Sequence, residues 1–142
     1  MEPLKVPGSL DSLQKIRQYV ASAATEAGIQ KRGYKLCLAV DEIATNIITH
    51  GYEENGLEGN ISVKTEIDEK SLTVYIEDTA KPYNPTNPDI LEEEILTTKK
   101  SLEERSIGRL GIFLIYESVD RFIYEKLESG NRNILVVNRT TT

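Results

Sequence analysis

Three stretches of the sequence carry side chains that could do chemistry. In LAVDEIATNIITHGY, residues 38–52, Glu42, Asn46 and the chain's only histidine, His50, are spaced i, i+4, i+8. On an α-helix that spacing stacks three side chains almost in line. Leu36, Ala39, Val40, Ile43 and Ile47 follow the rhythm of a buried apolar stripe on the same helix. Glu42 and Asn46 fall beside that stripe, where a carboxylate and an amide would form the wall of a pocket. The competing reading is an exposed helix face that ends at Gly51. Asp78 closes an alternating row, Leu72, Val74 and Ile76, in LTVYIED. A carboxylate at the end of an apolar row is costly without a partner. A ligand donor such as the exocyclic amine of adenine would supply one, and a turn-capping aspartate is the plainer alternative. The third stretch is GRLG, residues 108–111, at the head of an apolar segment. A helix starting at Leu110 would present unpaired amides that attract phosphate. Lys99, Lys100, Arg105 and Arg109 concentrate positive charge there in an otherwise acidic chain. Alone, Gly-x-x-Gly is equally the mark of an ordinary loop.

The elements that would hold these residues follow from periodicity. PLKVP, residues 3–7, predicts a short edge strand bounded by prolines. Residues 9–28 predict an amphipathic helix with Leu10, Leu13, Ile16, Val20 and Ala24 on one face. Ser9 or Asp11 would cap it and Gly28 would end it. The helix of Glu42 runs from about Lys31 to Tyr52, and NGLEGN after it is a turn cluster. ISVKTEI and LTVYIED alternate as two strands of a hairpin turned by DEKS. Residues 79–89 hold three prolines and no periodicity, which predicts a loop. The charged run ILEEEILTTKKSLEERS predicts a mobile or weakly helical segment, and an apolar helix follows from about Leu110. RFIYEKLE and NILVVNR close the chain as two strands around the turn SGNR. The order β, α, α, β, β, loop, α, β, β has no repeat and no second domain. It predicts an α+β fold, a two-layer α/β sandwich with helices on one face of a mixed, mainly antiparallel sheet.

Composition sets the outer bounds. At 142 residues the chain suits one domain, spanning 1–142, with one core. Hydrophobic residues at 39% and charged residues at 28% predict a folded globular protein. A net charge of −6 argues against direct nucleic-acid binding. One Cys and one His cannot supply a usual zinc ligand set. Cys37 has no partner for an internal disulfide and sits next to the apolar stripe, as a small core residue would. No apolar run reaches membrane-span length, and MEPLKVPGS lacks the pattern of a signal peptide, so no membrane association and a cytoplasmic location are expected.

Taken in order, DEIATN, EDTAKPYNP and LEERSIGRLGIFLIYESVD resemble the N, G1 and G2 boxes of the GHKL (Bergerat-fold) ATPases, the superfamily of gyrase, chaperone, histidine kinase and MutL domains. Within it the chain is similar to the bacterial anti-sigma factor serine-protein kinases. PYNP after the G1 acid, LEER before the glycines, LGIFLI…VD and the closing YE…SGNRNILVV carry that similarity over roughly residues 5–139. The resemblance implies a histidine-kinase-like ATPase domain that binds ATP and Mg²⁺. By position, Asn46 would ligate Mg²⁺ through its amide oxygen and Glu42 would be the base for a serine hydroxyl. Asp78 would accept from the adenine amine, with Ala80 beside it in the G1 box. The amides around Gly108 and Gly111, with Arg109 and Leu110, would hold phosphates, and residues 86–106 would form an ATP lid. His50 would support the N box or cap the helix end. Implied partners are a sigma factor and an anti-sigma antagonist with a STAS domain, and the first strand and helix would serve a homodimer. A binding module without catalysis, acting by partner exchange, and a stand-alone ATPase domain of a two-component pathway are the rival readings. Glu42 favours a kinase over an inert binder, and the lack of a phosphoacceptor helix pair disfavours the two-component reading. One departure stands out: Ala80 occupies a G1 position that is usually glycine, which would cost roughly 1–2 kcal/mol at positive φ and little at negative φ.

Overall fold

The structure, a computed structural model, describes residues 2–82 and 115–139. Alternation along the chain becomes a sheet with one apolar face. Strands β1 (Leu4–Pro7), β2 (Asn60–Ile67), β3 (Ser71–Asp78), β4 (Arg121–Leu127) and β5 (Gly130–Asn138) lie in the order β1-β2-β3-β5-β4. All four pairings are antiparallel. Ile61 and Val63 of β2, Leu72, Val74 and Ile76 of β3, and Leu135 and Val137 of β5 are buried as alternate residues of their strands. They share one core with Ile16, Val20, Ala23 and Ala24 of helix α1 (Leu13–Glu26) and with Leu36, Ala39, Val40, Ile43 and Ala44 of helix α2 (Gln30–Asn46). A period of two meets a period of 3.6, and the result is the expected two-layer sandwich.

Local chemistry sets most element ends. Gly28, at φ 76°, stops α1 as expected: its amide bonds to Thr25 O (3.0 Å) and that of Ile29 to Ala24 O (2.9 Å), the paired bonds of a Schellman ending. Asp68 turns the β2–β3 hairpin, its Oδ1 accepting from the amides of Lys70 (2.7 Å) and Ser71 (2.8 Å). Asp120 fastens the far end of the molecule. Its Oδ2 accepts from Arg32 Nη1 of α2 (2.7 Å) and from the Asn138 amide of β5 (2.6 Å).

Three boundaries differ from expectation. The start of α1 is later, because Leu10–Ser12 form a 3-10 turn and leave Leu10 52% exposed rather than in the core. The chain is pinned there by the Gly8 amide on Gly59 O (2.8 Å), and it turns once before it winds. The residue before α1 is Ser12, with no side-chain cap bond there or at Ser9. The helix of Glu42 does run to Tyr52, but it is α-helical only to Asn46 and widens to a π-helical segment over Ile47–Tyr52. Lastly, the β4–β5 turn is shorter than SGNR, because β5 already begins at Gly130. A Cβ at Gly130 would lie 1.9 Å from Asp78 O, and φ there is +138°. Only glycine lets β5 start against the end of β3. Asn131 and Asn133 thereby become inward-facing strand residues, both buried.

Of the apolar helix expected from Leu110, only a last turn at 115–118 is described, with Ile115 and Ser118 buried. The lid at 86–106 and the glycines of GRLG lie outside the described residues.

Candidate functional site

The helix α2 puts Glu42 and Asn46 one turn apart beside the buried stripe. Glu42 is 9% exposed, and Asn46 Nδ2 donates to its Oε1 (3.3 Å). A solvated face would leave a glutamate in water, so the low exposure of Glu42 argues against the exposed-face reading at this position. The bond also settles the amide: with Nδ2 turned to a carboxylate, Asn46 has its oxygen left as an acceptor. The third member of the spacing, His50, follows in the π-helical segment. The wider turn after Asn46 breaks the i, i+4, i+8 line, and His50 bonds Glu54 Oε1 through Nδ1 (3.0 Å), with a side chain 38% exposed. Its carbonyl accepts from Asn55 Nδ2 (2.7 Å), so this histidine belongs to the helix end.

The π-helical segment positions Tyr52, which fastens α2 to the residues after Asp78. The Tyr52 ring is fully buried. It lies where Cβ atoms on Gly8 and Gly59 would approach within 2.6 and 2.8 Å. Its hydroxyl donates to Asn60 O (2.8 Å) and accepts from the Thr79 amide (3.0 Å). One residue earlier, Gly51 has no side chain where Ala80 packs: a Cβ on Gly51 would sit 2.7 Å from that of Ala80. Ala80 itself is buried and is not at positive φ. Alanine at this position therefore carries no positive-φ strain, and Gly51 supplies the room its methyl needs.

Asp78 ends the inward row of β3 as expected and is 4% exposed. Its Oδ1 accepts two N–H donors, the Ala80 amide (2.8 Å) and Asn131 Nδ2 (2.8 Å). Its Oδ2 is buried with no hydrogen-bond partner among the described residues. The aspartate thus does cap the turn, as the plainer alternative has it, and still keeps one acceptor oxygen. Burial pushes its carboxyl above the usual carboxylate range, against the pull of Asn131 and the Ala80 amide. An N–H donor on a ligand would satisfy Oδ2, and an adenine amine fits that chemistry.

The sequence reading did not single out Asn131, Tyr124 or Gly130. Asn131 faces Asp78 in the β3–β5 register, and the Tyr124 hydroxyl donates to Asn131 Oδ1. The alternation Asn131, Asn133, Leu135, Val137 was available as a signal, but a turn placed at SGNR hides its first member. The other candidate phosphate and lid residues, Lys99, Lys100, Arg105, Gly108, Arg109, Leu110 and Gly111, lie outside the described residues. No cluster of three or more His, Cys, Asp or Glu side chains suited to a metal occurs among the described residues. Cys37 is half-buried, its Sγ on Arg17 O (3.7 Å). Burial, then Asp41, raises its thiol pKa against the pull of Arg17, so it is poorly suited to act as a nucleophile. No described helix is long and apolar enough to cross a membrane.

Residues 6–138 match the family described as the histidine kinase-like ATPase domain. The chain belongs to that family. Its relatives place it with the anti-sigma factor kinases. It is 31% identical over 101 residues to an anti-sigma F factor of Clostridium beijerinckii, an alignment covering 71% of this chain and 66% of that one. It is 30% identical over 130 residues to the serine-protein kinase RsbW of Staphylococcus aureus, covering 89% of this chain and 79% of the kinase. Among solved structures it superposes on the histidine kinase domain of a blue-light activated histidine kinase from Erythrobacter litoralis, with a TM-score of 0.54 at 13% identity over 89% of this chain and 59% of that one. That likeness establishes the fold: helices on one face of an antiparallel sheet are the GHKL sandwich.

Proposed function

We infer that the protein is an ATP-dependent serine/threonine-protein kinase and anti-sigma factor of a bacterial partner-switching pathway. Its phosphoacceptor is a serine or threonine on an anti-sigma antagonist with a STAS domain, and the antagonist displaces a bound sigma factor. One observation carries the reading. The helix of Glu42 and Asn46 is fastened, through Tyr52 and Gly51, to the residues next to Asp78, whose Oδ2 is a buried acceptor without a partner among the described residues. This fastening supports reading the polar groups of the helix and the Asp78 carboxylate as parts of one site. The anti-sigma factor and serine-protein kinase relatives support the same assignment. The reading takes the whole chain as one ATPase domain, cytoplasmic and homodimeric; among the described residues β1 is an edge strand of the sheet.

Each residue has a role in this reading. The helix bearing Glu42 and Asn46 is the N-box helix, and Asp78 is the G1 acid. Asp78 Oδ2 accepts from the adenine amine, and the Ala80 amide holds the carboxylate in place. Asn46, its Nδ2 engaged by Glu42, offers its amide oxygen to Mg²⁺. The metal, when bound, neutralises charge on the phosphates. Glu42 orients the acceptor hydroxyl and takes its proton on the carboxylate. Lys99, Lys100, Arg105 and Arg109, with the amides around Gly108, Leu110 and Gly111, take the phosphates.

Glu42→Gln tests the kinase assignment. It keeps the size of the side chain and an oxygen for Asn46 but removes the basic carboxylate. ATP binding by calorimetry is retained, while transfer of labelled phosphate to a STAS-domain antagonist falls roughly 10²–10⁴-fold, the usual loss for a general base. Transfer at the wild-type rate would remove Glu42 from this role. A wild-type protein that binds ATP yet transfers to no STAS partner would make the chain a non-catalytic partner-switching module.

A further inference from the structure

Asp78 does not stand alone. Behind it runs a chain of hydrogen bonds that begins on the edge strand β4. Asn131 Nδ2 has two acceptors in reach, Asp78 Oδ1 (2.8 Å) and Ala80 O (3.3 Å). An amide nitrogen has two hydrogens, so both are used. The amide oxygen then faces the other way and accepts from the Tyr124 hydroxyl. Flipping the amide would set its oxygen against two acceptors and lose both bonds. The orientation is therefore determined, and Tyr124 must be a donor. Burial, and after it the Asp78 charge, raise the phenol pKa, which keeps that proton in place at neutral pH.

We propose that Tyr124 and Asn131 are positioning residues that make the site select a nucleobase with an exocyclic amine over one with a carbonyl at the same place. The proposal rests on the nucleotide reading of Asp78. Carboxylate torsions are broad and two-fold. Here the plane of the carboxylate is locked, because Oδ1 is saturated by two N–H donors. The acceptor capacity of the group is concentrated on Oδ2, in one direction. A base that offers N–H meets it. A base that offers C=O brings acceptor to acceptor and leaves both unpaired, which discriminates far more strongly than a change of shape. Without the Tyr124 hydroxyl, Asn131 loses its anchor. The Asp78 plane is then held firmly only by the Ala80 amide, and the distinction between amine and carbonyl weakens.

ATP and inosine triphosphate are the probes, since they differ at that position of the purine. Wild-type protein binds ATP more tightly than inosine triphosphate. Tyr124→Phe lowers the ratio of the two affinities about tenfold, the value of one hydrogen bond. Asn131→Ser lowers the same ratio, and Tyr124→Phe added to it has no further effect, because the two act through one chain. Equal loss of affinity for both nucleotides in Tyr124→Phe, or additive effects in the double variant, would overturn the relay. The carboxyl titration of Asp78, followed by carbon NMR without nucleotide, reads the relay directly. Asn131 lowers the Asp78 pKa, so loosening it in Tyr124→Phe moves the titration to higher pH. An unmoved titration also overturns the proposal. If wild type binds neither nucleotide while the titration moves, the relay stands and the nucleotide reading of the site fails.

Discussion

Replacing Asp78 by asparagine exchanges one oxygen for an NH₂ group and little else. The remaining oxygen must stay where Oδ1 is, because two donors meet it there at 2.8 Å, the Ala80 amide and Asn131 Nδ2. The other orientation would lose both bonds and set N–H against N–H. The new NH₂ therefore replaces Oδ2, the acceptor with no partner among the described residues. Toward an adenine amine it presents donor to donor. An unmet buried donor costs about 1–3 kcal/mol, so ATP affinity falls by a factor of roughly 5–150. Stability moves the opposite way. Burial raises the Asp78 pKa in the fold, so between the unfolded value of 3.8 and the folded value the native state binds more protons than the unfolded chain. Stability then declines as pH rises through that window, and the full cost of the buried charge is present above it. The substituted amide, never charged, is free of this cost. Asp78→Asn should raise the unfolding midpoint at neutral pH, and the gap to wild type should close as pH falls through the folded pKa. Titration calorimetry with Mg²⁺–ATP and thermal unfolding at several pH values measure both effects on one preparation. ATP affinity within twofold of wild type in a folded variant would refute the role of Oδ2. A midpoint lowered at all pH values would refute the account of the buried charge.

Further outcomes follow from the surrounding geometry. Gly130→Ala should lose far more stability than Gly56→Ala in urea unfolding. Both glycines are at positive φ, but a Cβ at Gly130 meets Asp78 O at 1.9 Å while one at Gly56 meets nothing within 4 Å. Strain alone costs about 1–2 kcal/mol, and the clash adds about 1–3 kcal/mol and displaces Asp78. Equal losses would mean that β5 does not need glycine to start there. Tyr52→Phe leaves the Thr79 amide and Asn60 O without the hydroxyl they share. It should destabilise by about 1–3 kcal/mol and speed amide exchange at Thr79, and an unchanged exchange rate would count against the staple. Asn46→Ala should weaken ATP binding in the presence of Mg²⁺ and make it insensitive to the metal, as calorimetry with and without chelator would show. A variant that keeps the metal dependence removes Asn46 as the Mg²⁺ ligand.

The periodic signals in the sequence were enough for the layers and the core. Leu36, Ala39, Val40, Ile43 and Ile47 are buried because a stripe at helical spacing has one way to meet an apolar sheet. The same spacing placed Glu42 and Asn46 at its edge, and strand alternation carried Asp78 inward. These are local relations, determined within one element. What the tertiary structure decided is how separate elements meet. The widening of α2 after Asn46 moves His50 out of line and turns Tyr52 onto Thr79. Gly51 and Ala80 fit each other across a stretch of chain that no periodicity links. The early start of β5 depends on Gly130 lying against the backbone of Asp78, and with it come Asn131 and the Tyr124 hydroxyl. A turn signal such as SGNR marks a reversal but not its register, and in a strand one residue of register exchanges the two faces. The groups that meet the Asp78 carboxylate therefore became visible only when the strands were paired.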